Sequence, residues 1–318
     1  SNIKWLCLLL LALTLVLAAC AGGSSNESDN NGTNDNEDNG TTNEGATGNP
    51  VEGGDLVFAV HSEASSLDPG ASNDVPSSVV QANIYETLVK RDDENNIIPG
   101  LAEKWELIDD TTYEFTLRQG IKFHDGEDFN ADAVKASLDR IRDSKVASPR
   151  YFLFEMVTDI EVVDDYKVRI KTEYPFAPLL AHHGGSIISP KSIEADYAAI
   201  ENGKKAGSVI SAAPVGTGFF KFVSWTPGNE IKLEKNDDYW GDKAHVDTVT
   251  FKVISESATR NADLERGFAQ IAEYVQPIEV AGINNSDYGS VNQKASSSLS
   301  YIGFNTEKAP FDYVRVRK

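Results

Sequence analysis

Residues 55–88 read DLVFAVHSEASSLDPGASNDVPSSVVQANIYETL, and this stretch decides the class of fold. Asp55 to Val60 is an apolar run of strand length, suited to an opening β-strand. Val80, Ile84 and Leu88 recur at helical spacing, which predicts a helix across Val79 to Val89. A strand and a helix thus flank a loop, and the folded region reads as mixed α/β.

The same alternation continues downstream. Tyr113, Phe115 and Leu117 alternate with Glu114, Thr116 and Arg118, the pattern of a half-buried strand. Gly120 and the His124-Asp125-Gly126 turn then break the chain. Asn130 is a good N-cap for a following helix, Asp132 sits where the helix dipole favours negative charge, and Phe129 and Val134 occupy the two positions of a hydrophobic staple. Val134, Leu138 and Ile141 extend one apolar face. Ile160 to Val163 and Lys167 to Lys171 read as a hairpin around Asp164-Asp165, and Phe219 to Trp225 and Glu230 to Lys235 as another around Pro227-Gly228. Val249 to Ile254 is a further strand. No repeat of fixed period is present, which argues against a solenoid.

Upstream of Asp55 the chain has a different character. Lys4 is followed by the apolar run Trp5 to Ala19 (WLCLLLLALTLVLAA), which ends in Leu17-Ala18-Ala19-Cys20. About fifteen apolar residues fall short of the roughly 20 that cross a bilayer as a helix, and small residues before a cut suit a peptidase groove. Residues 1–19 are therefore read as a signal peptide, and Cys20 as the lipidated first residue of the mature chain. The other reading is an uncleaved membrane anchor. Residues 20–54 hold almost no apolar side chain beyond Cys20 and seven acidic ones, Glu27, Asp29, Asp35, Glu37, Asp38, Glu44 and Glu52. Such a segment buries nothing and is expected to be a disordered linker, about 30 Å from end to end as a flexible coil.

Cysteine usage agrees with export. Cys7 leaves with the signal and Cys20 carries lipid, so the mature chain forms no disulfide and relies on its own core. The formal charge of −20 contains −7 from the linker and +1 from Lys4, leaving −14 on Asp55 to Lys318. That balance argues against nucleic acid as a partner and against broad attraction to anionic lipid heads, so membrane association rests on the anchor.

Four segments, in order, carry a resemblance. They are Ser66-Leu67-Asp68-Pro69 with Asn73-Asp74-Val75-Pro76 and Ile84-Tyr85-Glu86-Thr87-Leu88; Pro99 to Trp105 (PGLAEKW) through Phe123-His124-Asp125-Gly126; Pro214 to Phe220 (PVGTGFF) with Asn236 to Gly241 (NDDYWG); and Tyr301 to Asn305 (YIGFN) through Pro310-Phe311-Asp312 to Val314-Arg315-Val316-Arg317. Together they span nearly all of Asp55 to Lys318. On them the chain resembles the peptide-binding class of extracytoplasmic solute-binding proteins of ABC importers, bacterial extracellular solute-binding protein family 5. Members of that class capture oligopeptides, dipeptides, glutathione, nickel complexes or heme. Ser72 to Leu88, with His183-Gly184-Gly185-Ser186-Ile187-Ile188-Ser189-Pro190, is most similar to glutathione or short-peptide binders. The sequence departs from the class pattern at Phe219, where Pro is usual, and at Gln270, where Asp is usual.

The resemblance implies a periplasmic-binding-protein-like fold (type II, cluster C) of two lobes, the first carrying an inserted subdomain. On that pattern the main domain of the first lobe is 55–88 plus 179–277, the insert is 89–178, and 278–318 opens a second lobe that is mostly missing, which makes this chain a fragment. The implied action is capture of a solute by lobe closure and delivery to an ABC permease and its ATPase, with the receptor a monomer held by its lipid to the extracytoplasmic face of a monoderm bacterium. The implied ligand residues are Asn73, Asp74 and Val75, running beside a peptide backbone; Ser77 and Ser78, whose helix N-terminus favours a carboxylate; and His183, Gly184 and Gly185, lining the cleft near the hinge. An alternative for Asp74 or Ser77 is that it merely caps the helix. Ligands other than short peptide or glutathione, namely nickel or heme, and a sensor of the same fold, also stay open.

Metal and catalytic chemistry are not expected. His182-His183 are adjacent, so on an extended chain they point to opposite faces, and no Cys or His stands at ligand spacing nearby. His124-Asp125-Gly126 reads as a turn. The chain lacks the Gly-x-Ser-x-Gly elbow, the Ser-x-x-Lys pattern, the His-Glu-x-x-His pair and a phosphate loop. No cofactor is implied.

Overall fold

β1 (Asp55–Val60) is paired in parallel on both sides, and its burial deepens toward Ala59 and Val60. The computed structural model describes residues 50–181, 185–294 and 302–318; the expectations for the signal segment, Cys20, the linker, His182, His183 and Gly184 lie outside the described residues. After β1 come α1 (Val75–Ile84), β2 (Val89–Arg91), β3 (Ile97–Pro99), β4 (Ala102–Asp109), β5 (Thr112–Leu117), α2 (Ala131–Arg142), β6 (Val157–Asp164), β7 (Lys167–Thr172), α3 (Pro190–Glu201) and α4 (Ser208–Ala212). The chain continues with β8 (Phe220–Thr226), β9 (Glu230–Lys235), β10 (Thr248–Val253), α5 (Ser257–Glu265), β11 (Ile271–Ala272), α6 (Pro277–Asn284) and α7 (Val314–Arg317).

Two sheets carry the described chain, with a short β2-β3 ribbon between them in sequence. The first runs β11-β1-β10-β9-β8, with β8, β9 and β10 antiparallel and β1 parallel to β10 and β11. The second is antiparallel throughout, in the order β4-β5-β7-β6. α2 covers one face of it: Val134, Leu138 and Ile141 are buried in one apolar cluster with Phe115, Leu117, Ile160, Val168 and Ile170. Burial of each such aliphatic side chain contributes roughly 1.5–3 kcal/mol. The N-terminus of α2 is set as expected, with Asn130 Oδ1 accepting from Ala133 N at 3.0 Å and Phe129 and Val134 both buried. On the other face Glu114 accepts from Arg169 Nε at 2.8 Å and pairs with Lys167 Nζ at 3.1 Å.

The expected strands at 55–60 and 113–117, both hairpins and the strand near 249 are present. The helix of residues 79–89 is shifted: α1 begins at Val75 and ends at Ile84. Asp74, with Pro76 behind it, fixes the earlier start. The earlier end comes from tertiary contact. Gly218 N donates to Ile84 O at 2.9 Å, and Tyr85 turns to an extended conformation. A Cβ on Gly216 would stand 2.1 Å from Ile84 O and one on Gly218 2.4 Å from Asn83 O, so only glycine lets the 214–218 loop lie across the helix end. Leu88 is still buried, beyond the helix, where its carbonyl accepts from the Gly100 and Ala102 amides.

A buried ion cluster joins three segments that are remote in sequence. Arg140, from α2, donates through Nη1 to Asp68 Oδ1 at 3.1 Å and through Nη2 to Asp68 Oδ2 at 2.7 Å and Asp196 Oδ2 at 2.8 Å. Asp68 and Asp196 are both 0% exposed and Arg140 1%. Two carboxylates for one guanidinium leave an excess negative charge, which backbone amides help to offset: Gly70 N on Asp68, Gly207 N and Val209 N on Asp196. A well-satisfied buried pair adds little net stability by itself, but loss of one partner strands a charge in the interior.

The His124-Asp125-Gly126 turn joins the second sheet's layer to the first. His124 Nε2 donates to Gly218 O at 2.9 Å, its Nδ1 accepts from Gly216 N at 3.4 Å, and its own amide donates to Gly216 O at 2.9 Å. Asp125 Oδ2 accepts from Ser189 Oγ at 2.6 Å. Burial holds the His124 imidazole below its ordinary pKa, against the opposing pull of the Gly218 carbonyl, so the folded state keeps it neutral.

Two outcomes follow from these contacts. Arg140→Ala, which strands the buried carboxylates of Asp68 and Asp196, is expected to lower the unfolding free energy by about 3–5 kcal/mol in urea titration; a loss below about 1 kcal/mol would show that the cluster relaxes freely. Because the folded-state pKa of His124 is depressed, the unfolded chain takes up a proton first, near pH 6.5, and stability is lost as pH falls from there toward the folded value. His124→Gln should flatten the slope of stability against pH between about 7.5 and 5.5 relative to wild type. An unchanged slope would mean that the folded state protonates this ring freely.

Candidate functional site

The loop between β1 and α1 is built by its own short polar side chains. Asp74 caps α1: Oδ1 accepts from Ser77 N at 2.8 Å, and Oδ2 from the Ser65 hydroxyl. Burial works to raise the Asp74 pKa, but the bonds from Ser65 and Ser77 outweigh it and hold the carboxylate below its usual range. Ser77 is fully buried and its Oγ accepts from Ser65 N at 2.8 Å and Ser66 N at 3.2 Å. Ser78 N is taken by Asp74 O at 3.2 Å. The amides of Ser77 and Ser78 that were expected to favour a ligand carboxylate are therefore engaged within the loop, and the capping role of Asp74 is the one realised. Asn73 and Val75 are exposed, with their side chains free of the core.

The second expected stretch meets the first at the end of α1. Gly185 is buried against α2, where a Cβ would approach Leu138 Cδ2 to 3.2 Å and Phe154 Cζ to 3.3 Å; its lack of a side chain serves that packing. Ile187 N donates to Glu86 O at 2.9 Å, and Ile188 N to Ser137 Oγ at 3.0 Å. These bonds lay Ser186 beside α1, and Ser78 and Ser186 border one cleft of about 270 Å³ together with Gln81, Tyr85, Glu86, Lys90 and Arg150. Of the sequence-predicted residues, Ser78 reaches this cleft directly, Asp74 and Ser77 shape the loop above it, and Gly185 packs beneath Ser186.

Glu86 is the cleft's main polar node. Its carboxylate, 4% exposed, accepts from Lys90 Nζ at 2.6 Å, Thr217 Oγ1 at 2.9 Å, Tyr239 OH at 2.9 Å and Trp240 Nε1 at 2.8 Å. Burial and the adjacent Glu86 charge push the Tyr239 hydroxyl far above its ordinary pKa, so it stays a donor. Lys90 and Arg118 lie over the Trp240 ring at 5.5 and 4.8 Å, in cation–π range. Arg150 crosses from the second sheet's layer to the loop, donating through Nε to Ser72 O at 2.7 Å and through Nη2 to Ser78 Oγ at 3.1 Å. Glu86, Lys90 and Arg150 are not among the site residues expected from the sequence, although Glu86 stands in a segment that carries the family resemblance. Glu86 lay inside the expected helix, and Arg150 follows Ser148-Pro149 in a stretch with no periodicity to mark it.

A larger groove of about 910 Å³ runs along β11 and α6. None of the sequence-predicted residues borders it. Among the described residues no cluster of three or more His, Cys, Asp or Glu is placed to hold a metal ion.

Comparison with known proteins places this geometry. The family model described as bacterial extracellular solute-binding proteins, family 5 (middle), matches residues 96–318. The glutathione-binding protein GsiB of Pectobacterium atrosepticum is 36% identical over 270 residues, which cover 83% of this chain and 50% of that protein. Helicobacter pylori DppA, an ABC transporter-associated periplasmic binding protein solved with the peptide STSA, superimposes with a TM-score of 0.67 at 34% identity, over 75% of this chain and 50% of its own. The oligopeptide-binding protein AppA of Bacillus subtilis, solved with a nonapeptide, gives a TM-score of 0.68 at 30% identity, over 75% and 47%. The chain spans about half the length of the curated relatives it matches. Its α/β fold is that of the periplasmic binding proteins of peptide-binding type. With 96–318 matched by the family model, the chain belongs to the bacterial extracellular solute-binding proteins, family 5.

Proposed function

We propose that the complete protein is the extracytoplasmic receptor of an ABC importer, taking short peptides, glutathione among them, and handing them to a membrane permease. The observation that carries this reading is the meeting of Ser78 and Ser186, one from each ligand-linked stretch, at one polar cleft beside α1. Similarity to a glutathione-binding protein and to two peptide-bound receptors supports the ligand class.

In this reading the exposed Asn73 and Val75 run beside the ligand backbone and pair with it as an added strand, which gives affinity without reading side chains. A second lobe closes on the same ligand, and contacts to both lobes at once shift the population from open to closed. The first lobe is divided into a main domain of 55–88 plus 179–277 and an insert of 89–178, and 278–318 opens the second lobe. Support for the division comes from the strands: those of the five-stranded sheet fall at 55–60 and 220–272, those of the four-stranded sheet at 102–172.

Cys20 carries the lipid in this proposal, and residues 20–54 keep a monomeric receptor within about 30 Å of the outer face of the membrane. Permease encounter is then a matter of local concentration.

Calorimetry of the complete protein against short peptides and glutathione should give binding heat. No heat from any of them, beside clear binding of a nickel complex or a sugar, would overturn the ligand class. Cys20→Ala should move the protein from the membrane fraction to the soluble one or leave it unprocessed, and unchanged diacylglyceryl labelling would exclude Cys20 as the lipid site.

A further inference from the structure

We propose that Arg150 is a specificity-determining residue of the first lobe, holding a carboxylate of the ligand; the assignment rests on the peptide-receptor reading and names the cation that the loop and helix do not supply. The charges in and around the cleft are Glu86, Lys90, Arg150 and Asp74. Glu86 has four donors, one of them Lys90, whose charge is thereby matched. Asp74 turns its two oxygens to Ser77 N and the Ser65 hydroxyl. Its field reaches Arg150, but among the described residues no carboxylate makes an ion pair with Arg150. The guanidinium is half-buried and held by two neutral acceptors, Ser72 O and Ser78 Oγ. Nη1 makes no hydrogen bond among the described residues, and a guanidinium has five N–H donors in a planar fork suited to a carboxylate.

The contrast with the rest of the chain sharpens the point. Two other buried arginines spend their guanidinium groups on the protein: Arg140 binds two aspartates through Nη1 and Nη2, and Arg260 binds the carbonyls of Ile254, Ser255, Glu273 and Tyr274. A folded region of charge −14 repels an anionic solute at a distance. An unmatched cation fixed in the cleft reverses that locally, while burial lowers the Arg150 pKa and leaves it a stronger donor of charge-assisted bonds. The two bonds to Ser72 and Ser78 fix the fork's position before a ligand arrives, so little side-chain freedom is lost on binding.

The test is calorimetry on the complete protein with short peptides supplied as free acids and as their C-terminal amides, alongside glutathione. Wild type should favour acid over amide by about tenfold or more, the size of a charge-assisted bond. Arg150→Gln should bring that ratio to about one, and Arg150→Lys, which keeps the charge without the fork, should retain part of it. A ratio that Arg150→Gln leaves intact, or a wild type indifferent to amidation, overturns the assignment and leaves the peptide-receptor reading standing. If Arg150→Gln does not fold, an undiminished ratio in Arg150→Lys overturns it in the same way. A wild type that binds no peptide or glutathione while binding another solute overturns the receptor reading itself, and the assignment falls with it.

Discussion

One buried guanidinium sets the geometry on which the rest depends. Arg140 stands on α2, which carries the four-stranded sheet, and its fork holds Asp68 in the loop leaving β1 and Asp196 on α3. Loop, helix and second layer are thereby fixed to one another at a point with no access to water. The cluster costs desolvation and offers little net stability, so its contribution is to position. With Asp68 held, Gln81 reaches back to Ser66 O and Ser72 Oγ, and Tyr85 OH to Leu67 O, which clamps the loop to α1. The cleft opens beside that clamp.

Glu86 is the complementary node on the other side. It gathers donors from residues 90, 217, 239 and 240, and its carbonyl takes the Ile187 amide, so four separate stretches converge on the C-terminal end of α1. The PVGTG loop passes close over the same helix end, and His124 clips that loop from beyond. The segments by which the chain resembles its family are thus mostly scaffold. Asp68, Glu86, His124, Gly216, Gly218 and Tyr239 all spend their polar groups on other protein groups.

That division explains what could be read from the sequence. Period-two alternation marked β5, and turn residues marked both hairpins, because strand and turn signals are local. Asn130 marked α2 for the same reason. α1 was displaced at both ends: its start depends on the Asp74 side chain closing on Ser77 N, and its end on a loop more than a hundred residues away whose glycines cross Ile84. Asp74 could be read as ligand or cap from sequence, and only the position of its oxygens separates the two. Arg150 left no sequence trace, since its proposed role comes from a three-dimensional feature, the lack of a carboxylate partner among the described residues beside a cleft.

The described residues therefore present a polar cleft, an exposed edge at Asn73 and Val75, and a cation at Arg150 bonded to Ser72 and Ser78. In the proposed receptor such preorganisation lowers the ordering cost of binding, and a second lobe completes the enclosure. The most direct measurement is a crystal structure of the complete protein with a bound short peptide. It should show a ligand carboxylate oxygen within hydrogen-bond distance of Arg150 and the ligand backbone alongside residues 73–75. A peptide seated elsewhere, with Arg150 bonded only to Ser72 and Ser78, would contradict this arrangement.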